Sequence, residues 1–339
     1  MKAVVLVGGF GTRLRPLTLR TPKQMLSIVD RPMIEWVIGH LGRHGVDQAV
    51  LALGYRSDAF ASAYPDDRCA GVELRYAVED EPLDTAGAIR FAADYAGIRE
   101  RFVVMNGDAL TDLDLSAFVA FHDRVGAEAT IALHEVADPS RYGVVPTDDD
   151  GRVIAFVEKP PAQDAPTNFI NAGTYVLEPS VLDRIEPDRR VSIERETFPA
   201  MVKDRSLFAT SDGGVYWLDT GTPETYLQAQ LDLIEGRRAV PAEISLTAVD
   251  PSAVVAPTAT VRSSVLGPDV RVDDHAEVVG SVVHRGAIIG AKAKVRDSIV
   301  GARTVIGEGA VLEELCVLGD DDAVAPGAEL QGFRPGSEP

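Results

Sequence analysis

The run Gly8-Gly9-Phe10-Gly11-Thr12-Arg13-Leu14 follows directly on the apolar residues 3–7. Glycines in such a place let the backbone approach a ligand closely and turn its N–H groups toward phosphate oxygens, and Arg13 adds a fixed cation. The pattern is not the dinucleotide fingerprint, which needs a third glycine where Leu14 stands, and it lacks the Gly-Lys-Ser/Thr ending of a P-loop. A plain turn after a strand would account for the glycines but not for Arg13, Arg15 and Lys23 gathered behind them. The local reading is therefore phosphate binding. Asp108 stands at the carboxyl end of the apolar run 102–105, and Asp219 follows 215–218 in the same manner. A ligand-facing carboxylate belongs at such strand ends. Each could instead cap a following helix, a role better suited to Asp112 and Asp114, immediately before a helical stretch at 115. No Ser–His–Asp or Cys–His set is evident, so no covalent enzyme intermediate is expected.

Positioning these residues requires regular elements. Residues 3–7, 48–53, 102–105, 129–133 and 171–176 read as buried strands, and 33–44, 85–96, 115–124 and 222–233 have helical spacing. Such alternation predicts an α/β fold, a Rossmann-like, mostly parallel sheet with helices on both faces and ligands at the carboxyl ends of its strands. From residue 250 the texture changes. Apolar residues recur at Val255, Val261, Leu266, Val272, Val278, Val283, Ile289, Val295, Val300, Ile306, Leu312 and Val317. Their 5-6-6 rhythm predicts a triangular coil of 17 residues, a hexapeptide-repeat parallel β-helix, with Gly267, Gly280, Gly290, Gly301, Gly307 and Gly319 at its corners. A β-sandwich would not hold one register for so many steps. The division expected is a catalytic domain at 1–236, a linker at 237–249, the β-helix at 250–327 and a tail at 328–339.

The composition bounds the partners. With 52 acidic against 33 basic side chains among 339 residues, the net charge is −19, which argues against a general nucleic-acid or anionic-membrane surface. Cys69 and Cys316, the two cysteines, form neither a disulfide framework nor a zinc spacing. The apolar run at 3–7 is too short for a signal-peptide core or a membrane span. A soluble, cytoplasmic protein is expected.

The glycine loop with Pro16 and Pro22-Lys23 resembles the sugar nucleotidyltransferases, or nucleotide-sugar pyrophosphorylases. The similarity continues as Glu81-Pro82-Leu83-x-Thr85-Ala86-Gly87, Asn106-Gly107-Asp108, Tyr142-Gly143-Val144, Glu158-Lys159-Pro160, Asn171-Ala172-Gly173 and Trp217-x-Asp219-x-Gly221. These motifs stand in the family's order from residue 1 to about 235, and the resemblance is closest to mannose-1-phosphate guanylyltransferase-like members. It implies that the C-terminal β-helix is left-handed. The reaction implied is attack by a sugar-1-phosphate oxygen on the α-phosphorus of a nucleoside triphosphate, with pyrophosphate leaving. Charge neutralisation and in-line positioning then dominate over proton transfer, and Mg²⁺ suits the work. By resemblance Arg13, Lys23 and Asp108 are catalytic, and Asp108 with Asp219 holds the metal. Leu6, Gly8, Gly9, Gly11, Thr12, Arg13, Lys23, Glu79, Asp84, Gly87 and Asp108 meet the nucleotide. Gly143, Glu158, Lys159, Asn171 and Thr174 meet the sugar phosphate.

Glu79 lies where the family contacts the base. A carboxylate offers only acceptors, which suit the adjacent N1–H and amino donors of guanine; uracil and thymine present one donor between two carbonyls. GTP is the nucleotide expected. Lys23-Gln24 is more usual in thymidylyl relatives, however, and Asp84 replaces the family's usual glycine. The Asp84 carboxylate could bond to base or ribose, or displace the usual contact. Thymidylyl or adenylyl transfer on glucose 1-phosphate is the alternative within the class. From other classes come a catalytically silent assembly subunit and a hexapeptide acyltransferase using His275 or His284, both read as solvent-facing corner residues. Mannose 1-phosphate is the default acceptor, with heptose, glucose and polyol phosphates open. A homo-oligomer through the β-helix is expected, since solenoids expose an unfinished end.

Overall fold

The computed structural model describes residues 1–54 and 57–335. The chain forms two compact units, one from Met1–Gly9 and Ile34–Trp217, the other from Phe10–Met33 and Leu218–Pro339.

The first unit is built on a ten-stranded sheet. Lys2–Leu6 lies between Gln48–Leu53 and Phe102–Asn106, parallel to both, so that Leu6 is in register with Ala52 and Asn106. These strands are Val/Leu/Ile-rich because both faces are covered: Val4, Val50 and Val104 are fully buried. Val72–Val78 extends the parallel set beyond Gln48–Leu53. On the other side the direction reverses, with Phe169–Leu177 antiparallel to Phe102–Asn106 and to Ala129–Glu135, and Leu207–Ser211 parallel to Ala129–Glu135. Two of these strands were not expected. In Val72–Val78, Glu73 and Arg75 interrupt the apolar run, because the strand alternates buried and exposed positions. Leu207–Ser211 has only Leu207, Phe208 and Ala209 buried. The expected helices occur at Met33–Arg43, Asp84–Tyr95, Leu115–Val125 and Pro223–Ile234, the last belonging to the second unit. Asp114 caps its helix, its carboxylate accepting the Ala117 N–H at 3.0 Å. Asp112 makes no such cap; its own N–H donates to the Tyr216 carbonyl.

In the second unit the repeats form a left-handed β-helix with three parallel sheets. Register advances 17 residues per coil, as in Thr260↔Glu277↔Lys294↔Val311. Leu266, Val272, Val278, Val283, Ile289, Val295, Val300, Ile306 and Leu312 fill the interior. Of the first coil, Val255 is exposed. The rhythm breaks once. Val305 pairs with Ala323 and Val311 with Glu329, a step of 18. The added residue lies at the corner where Glu314 and Leu315 have φ of 56° and 60°. The strand Glu329–Gln331 carries the solenoid past residue 327 into the expected tail, of which 336–339 lie outside the described residues.

The glycines thought to mark corners do something else. Among them only Gly280 has a left-handed φ, 59°. At Gly290 a Cβ would come within 2.7 Å of the Ile306 carbonyl oxygen, and at Gly301 and Gly307 it would strike the next coil's backbone. Their requirement is close approach between coils. Many corners are instead turned by Ser263, Asp269, His275, Lys292, Asp297 and Arg303 in the left-handed region. One corner carries a serine ladder: the Oγ of Ser264 accepts the N–H of Ser281, that of Ser281 the N–H of Ser298, and that of Ser298 the N–H of Cys316, at 3.1, 3.1 and 3.2 Å.

Residues 10–33 and the helix Pro223–Ile234 belong to this same unit. The Tyr226 hydroxyl donates to the Ser27 carbonyl at 2.6 Å, and Gln230 both donates to Ser27 and accepts the Val29 N–H. Arg20 pairs with Asp321 of the solenoid. No helix among the described residues is long and apolar enough to cross a membrane.

Candidate active site

In the first unit, Asp108 lies between the strand Phe102–Asn106 and the short strand Ala109–Thr111, half-buried. It caps no helix. Leu6 ends the neighbouring strand and leads to Gly8 and Gly9. Both glycines are exposed, and a Cβ added at either would meet nothing within 4 Å. Gly9 needs its φ of 108°. Gly8 has no such need, and neither its backbone conformation nor its neighbours require glycine there.

Glu79 follows the strand Val72–Val78 and is 9% exposed. Its Oε2 accepts the Leu83 N–H at 3.0 Å. Burial pushes its pKa above the usual carboxylate value, only partly offset by that bond. Asp84 has φ of 61°, which explains why glycine suits this position and why aspartate, which tolerates the left-handed region, can replace it. One carboxylate oxygen accepts the Thr85 N–H at 2.8 Å, and the other lies 3.7 Å from Arg190 Nε. The Asp84 side chain is therefore engaged by the protein itself. Gly87 is held closely by the chain itself. Its N–H, with that of Ala86, donates to the Val191 carbonyl, and a Cβ would lie 2.6 Å from the Arg189 oxygen. Glycine is required there for packing, and the first turn of the helix Asp84–Tyr95 is satisfied without a ligand.

Of the sugar-side residues, Gly143 pairs with Glu158 at the edge of the ten-stranded sheet, its missing Cβ leaving room for the Phe156 ring. Lys159 is 60% exposed, has φ of 49°, and places its Nζ 2.9 Å from Glu158. Asn171 sits where the register of Phe169–Leu177 shifts. It accepts the Gly173 N–H and donates to the Tyr175 hydroxyl, both at 2.9 Å. Thr174 is 1% exposed, in register with Met105. It offers no surface to a ligand, because the strand points it into the core. Trp217 stacks on His134 at 5.2 Å and donates to the Ala172 carbonyl.

In the second unit, Gly11 caps the short helix Thr12–Leu14, with Thr12 and Arg13 exposed. Lys23 is only 6% exposed, and its Nζ lies 3.8 Å from Asp219 Oδ1. A Cβ on Gly221 would lie 2.5 Å from Arg13 Nη2 and 2.8 Å from Asp219 Oδ1. Arg13 and Asp219 thus meet beside Gly221, and Lys23 approaches the same Asp219 oxygen. His284 is half-buried rather than a fully solvent-facing corner residue. It stacks on Tyr226 and bonds its hydroxyl through Nε2 at 3.3 Å. The Tyr226 proton goes to Ser27, so the imidazole is the donor. Burial lowers the His284 pKa to about 4. His275 is exposed at a corner.

Residues 2–236 match the family described as Nucleotidyl transferase, and residues 244–333 match GMPPB C-terminal domain. The chain belongs to the nucleotidyl transferase family. It is 39% identical to the mannose-1-phosphate guanylyltransferase of Mycobacterium tuberculosis, covering 80% of this chain and 78% of that protein. It is 38% identical to the mannose-1-phosphate guanyltransferase of Schizosaccharomyces pombe, over 96% of this chain and 92% of the relative. The crystal structure of HddC from Yersinia pseudotuberculosis complexed with GMP-PN aligns with a TM-score of 0.58 and 30% identity, covering 70% of this chain and 99% of that one.

For a nucleotidyl transferase the metal question can be put to the side chains. Among the described residues, no group of three or more His, Cys, Asp or Glu could enclose an ion by itself. Asp108 in the first unit and Asp219 in the second each offer hard carboxylate oxygens, and Mg²⁺ is commonly held by one or two carboxylates plus substrate phosphates. The donor chemistry fits. Sequence reasoning overlooked Ser192, Ile193 and Glu194, which hold the loop at 83–87, because no motif or period marks them.

Proposed function

We propose that this nucleotidyl transferase transfers GMP from GTP to mannose 1-phosphate, releasing pyrophosphate and forming GDP-mannose. The observation that carries the choice of base is Glu79, a nearly buried carboxylate with one backbone donor. Each carboxylate oxygen has two lone pairs, so acceptors remain for the two adjacent donors of guanine. The guanylyltransferase names of the relatives favour the same choice.

In this reading Leu6, Gly8, Gly9, Gly11 and Thr12 cradle the nucleotide, while Arg13 and Lys23 neutralise the triphosphate. A buried lysine serves better than an exposed one, since less water screens its charge. Lys159 binds the sugar phosphate, and Glu158 accepts sugar hydroxyls. Gly143 and Asn171 shape the pocket around them. Asp108 and Asp219 would hold Mg²⁺, which when bound supplies charge neutralisation at the phosphates. The chain's own part is to bind and align two polyanions for in-line displacement, with no enzyme-bound covalent intermediate.

We assign the catalytic domain to 1–236, the linker to 237–249 and the β-helix to 250–331, its end extended by the strand Glu329–Gln331, in a cytoplasmic homo-oligomer without nucleic-acid or membrane partners. Asp108→Asn should reduce kcat at least about a hundredfold, on the scale of losing a charge-stabilising group at a phosphoryl centre. A rate within a few-fold of wild type would remove Asp108 from the mechanism.

A further inference from the structure

The loop that follows Glu79 is fastened to one short segment on its far side. The Leu83 N–H donates to Glu79 Oε2 at 3.0 Å, and the Leu83 carbonyl accepts the Val191 N–H at 3.0 Å. Two residues on, the Thr85 hydroxyl donates to Glu194 Oε2 at 2.7 Å and accepts the Ile193 N–H at 2.8 Å. Glu194 Oε2 also accepts the Ser192 hydroxyl at 2.8 Å. Glu79 thus holds the loop at Leu83 and Glu194 holds it at Thr85, while between them Val191 donates to the Leu83 carbonyl and accepts the Ala86 and Gly87 N–H groups. The Thr85 hydroxyl uses its proton on Glu194 and a lone pair on Ile193. Neither bond can be replaced by an aliphatic side chain of the same shape.

Resting on the guanylyltransferase reading, we propose that Glu194, acting through Thr85, is a positioning residue that sets the loop at 83–87 and with it the orientation of the base-reading carboxylate Glu79. Glu194 touches no substrate in this account. Its charge is not needed, only an acceptor oxygen at the Thr85 hydroxyl. The segment is suited to the task. Ser192, Ile193 and Thr197 are buried, and 193–197 is wound as a π-helix that turns Glu194 back toward Thr85.

The test measures GTP and mannose 1-phosphate kinetics with Mg²⁺ for wild type, Thr85→Val, Thr85→Ser, Glu194→Ala and Glu194→Gln. Thr85→Val and Glu194→Ala should raise KM for GTP about tenfold, the scale of one hydrogen bond to a charged group. They should also narrow the preference for GTP over ATP. KM for mannose 1-phosphate should stay within about twofold, a split that general loosening of the fold would not produce. Thr85→Ser and Glu194→Gln keep the hydroxyl and the acceptor and should behave as wild type. If Thr85→Val fails to fold, Glu194→Ala, whose side chain is half-buried, decides the matter. Unchanged GTP kinetics in Glu194→Ala would overturn the proposal. So would a rise confined to mannose 1-phosphate, or failure of Glu194→Gln to restore activity. Wild-type protein inactive with GTP would instead contradict the functional reading.

Discussion

At the residue scale, the account turns on Glu79. Its burial disfavours the charged form, so its pKa is raised, and the native state holds the proton to a higher pH than the unfolded chain does. Ionising this carboxylate therefore costs stability as pH rises through its native pKa. In the proposed reading guanine donors bind the ionised form and draw the pKa back down. Measured kcat/KM for GTP should consequently fall on the acid side, at a pH above the ordinary 4.5 of a glutamate. Glu79→Gln should abolish that limb and shift preference toward dTTP or UTP, since an amide offers both a donor and an acceptor. An unchanged preference for GTP in the variant would show that the base is read elsewhere. Asp84 illustrates what sequence alone leaves open. Its departure from glycine suggested an unusual ligand contact, whereas its left-handed backbone and its bonds to Thr85 and Arg190 explain it within the protein. Gly87 is the converse case, a motif glycine required by the neighbouring Arg189 carbonyl.

At the scale of elements, the principal strands and helices were legible because they are buried and strongly periodic. Val72–Val78 was not, because Glu73 and Arg75 face solvent on a half-exposed strand. The 17-residue coil could be read from one inward residue per face, but the added residue at 314–315 could not. A corner turned by Glu314 and Leu315 leaves no glycine to mark it. The serine ladder was also invisible, since serine is common in any loop. Its energetic weight is testable. Ser281→Ala removes the acceptor for the Ser298 N–H, which is buried between coils. Equilibrium denaturation should find a loss of about 1–3 kcal/mol, the usual result of stranding a buried donor. A change below about 0.5 kcal/mol, the scale of ordinary surface substitutions, would mean that the ladder only accompanies the fold.

At the scale of the whole molecule, a division at residue 236 follows the chain, but compactness does not. Residues 10–33, with Arg13 and Lys23, and residues 218–234, with Asp219, belong to the unit that contains the β-helix. The cations proposed to bind phosphate therefore belong to the solenoid's unit, whose segment at 27–29 is tied to the helix Pro223–Ile234 through Tyr226 and Gln230. No sequence motif spans that join, because its partners are hundreds of positions apart in sequence. His284 makes it measurable. Its native pKa, about 4, lies below its ordinary 6.5, so the unfolded chain binds the proton more readily. Stability from this group is then full above pH 6.5 and is lost as pH falls toward 4, by at most about 3 kcal/mol. Replacing His284 with Phe keeps the stacking but removes the titration. The gap in melting temperature between wild type and variant should shift in favour of the variant from pH 7 to pH 4, and a constant gap would contradict this.

The net charge of −19 also has its proper meaning at this scale. It disfavours nucleic acid and anionic membranes, while in the proposed reading Arg13, Lys23 and Lys159 are the local exceptions that two polyanionic substrates require. The central claim is guanylyl transfer to a sugar 1-phosphate. Its most direct test is pyrophosphate release by the full-length protein with Mg²⁺ and mannose 1-phosphate, comparing GTP, dTTP, UTP, ATP and CTP at equal concentration. The account predicts that GTP gives the fastest turnover and that GDP-mannose accumulates in equal amount with pyrophosphate. No turnover with GTP, or a clear preference for another nucleotide, would contradict it.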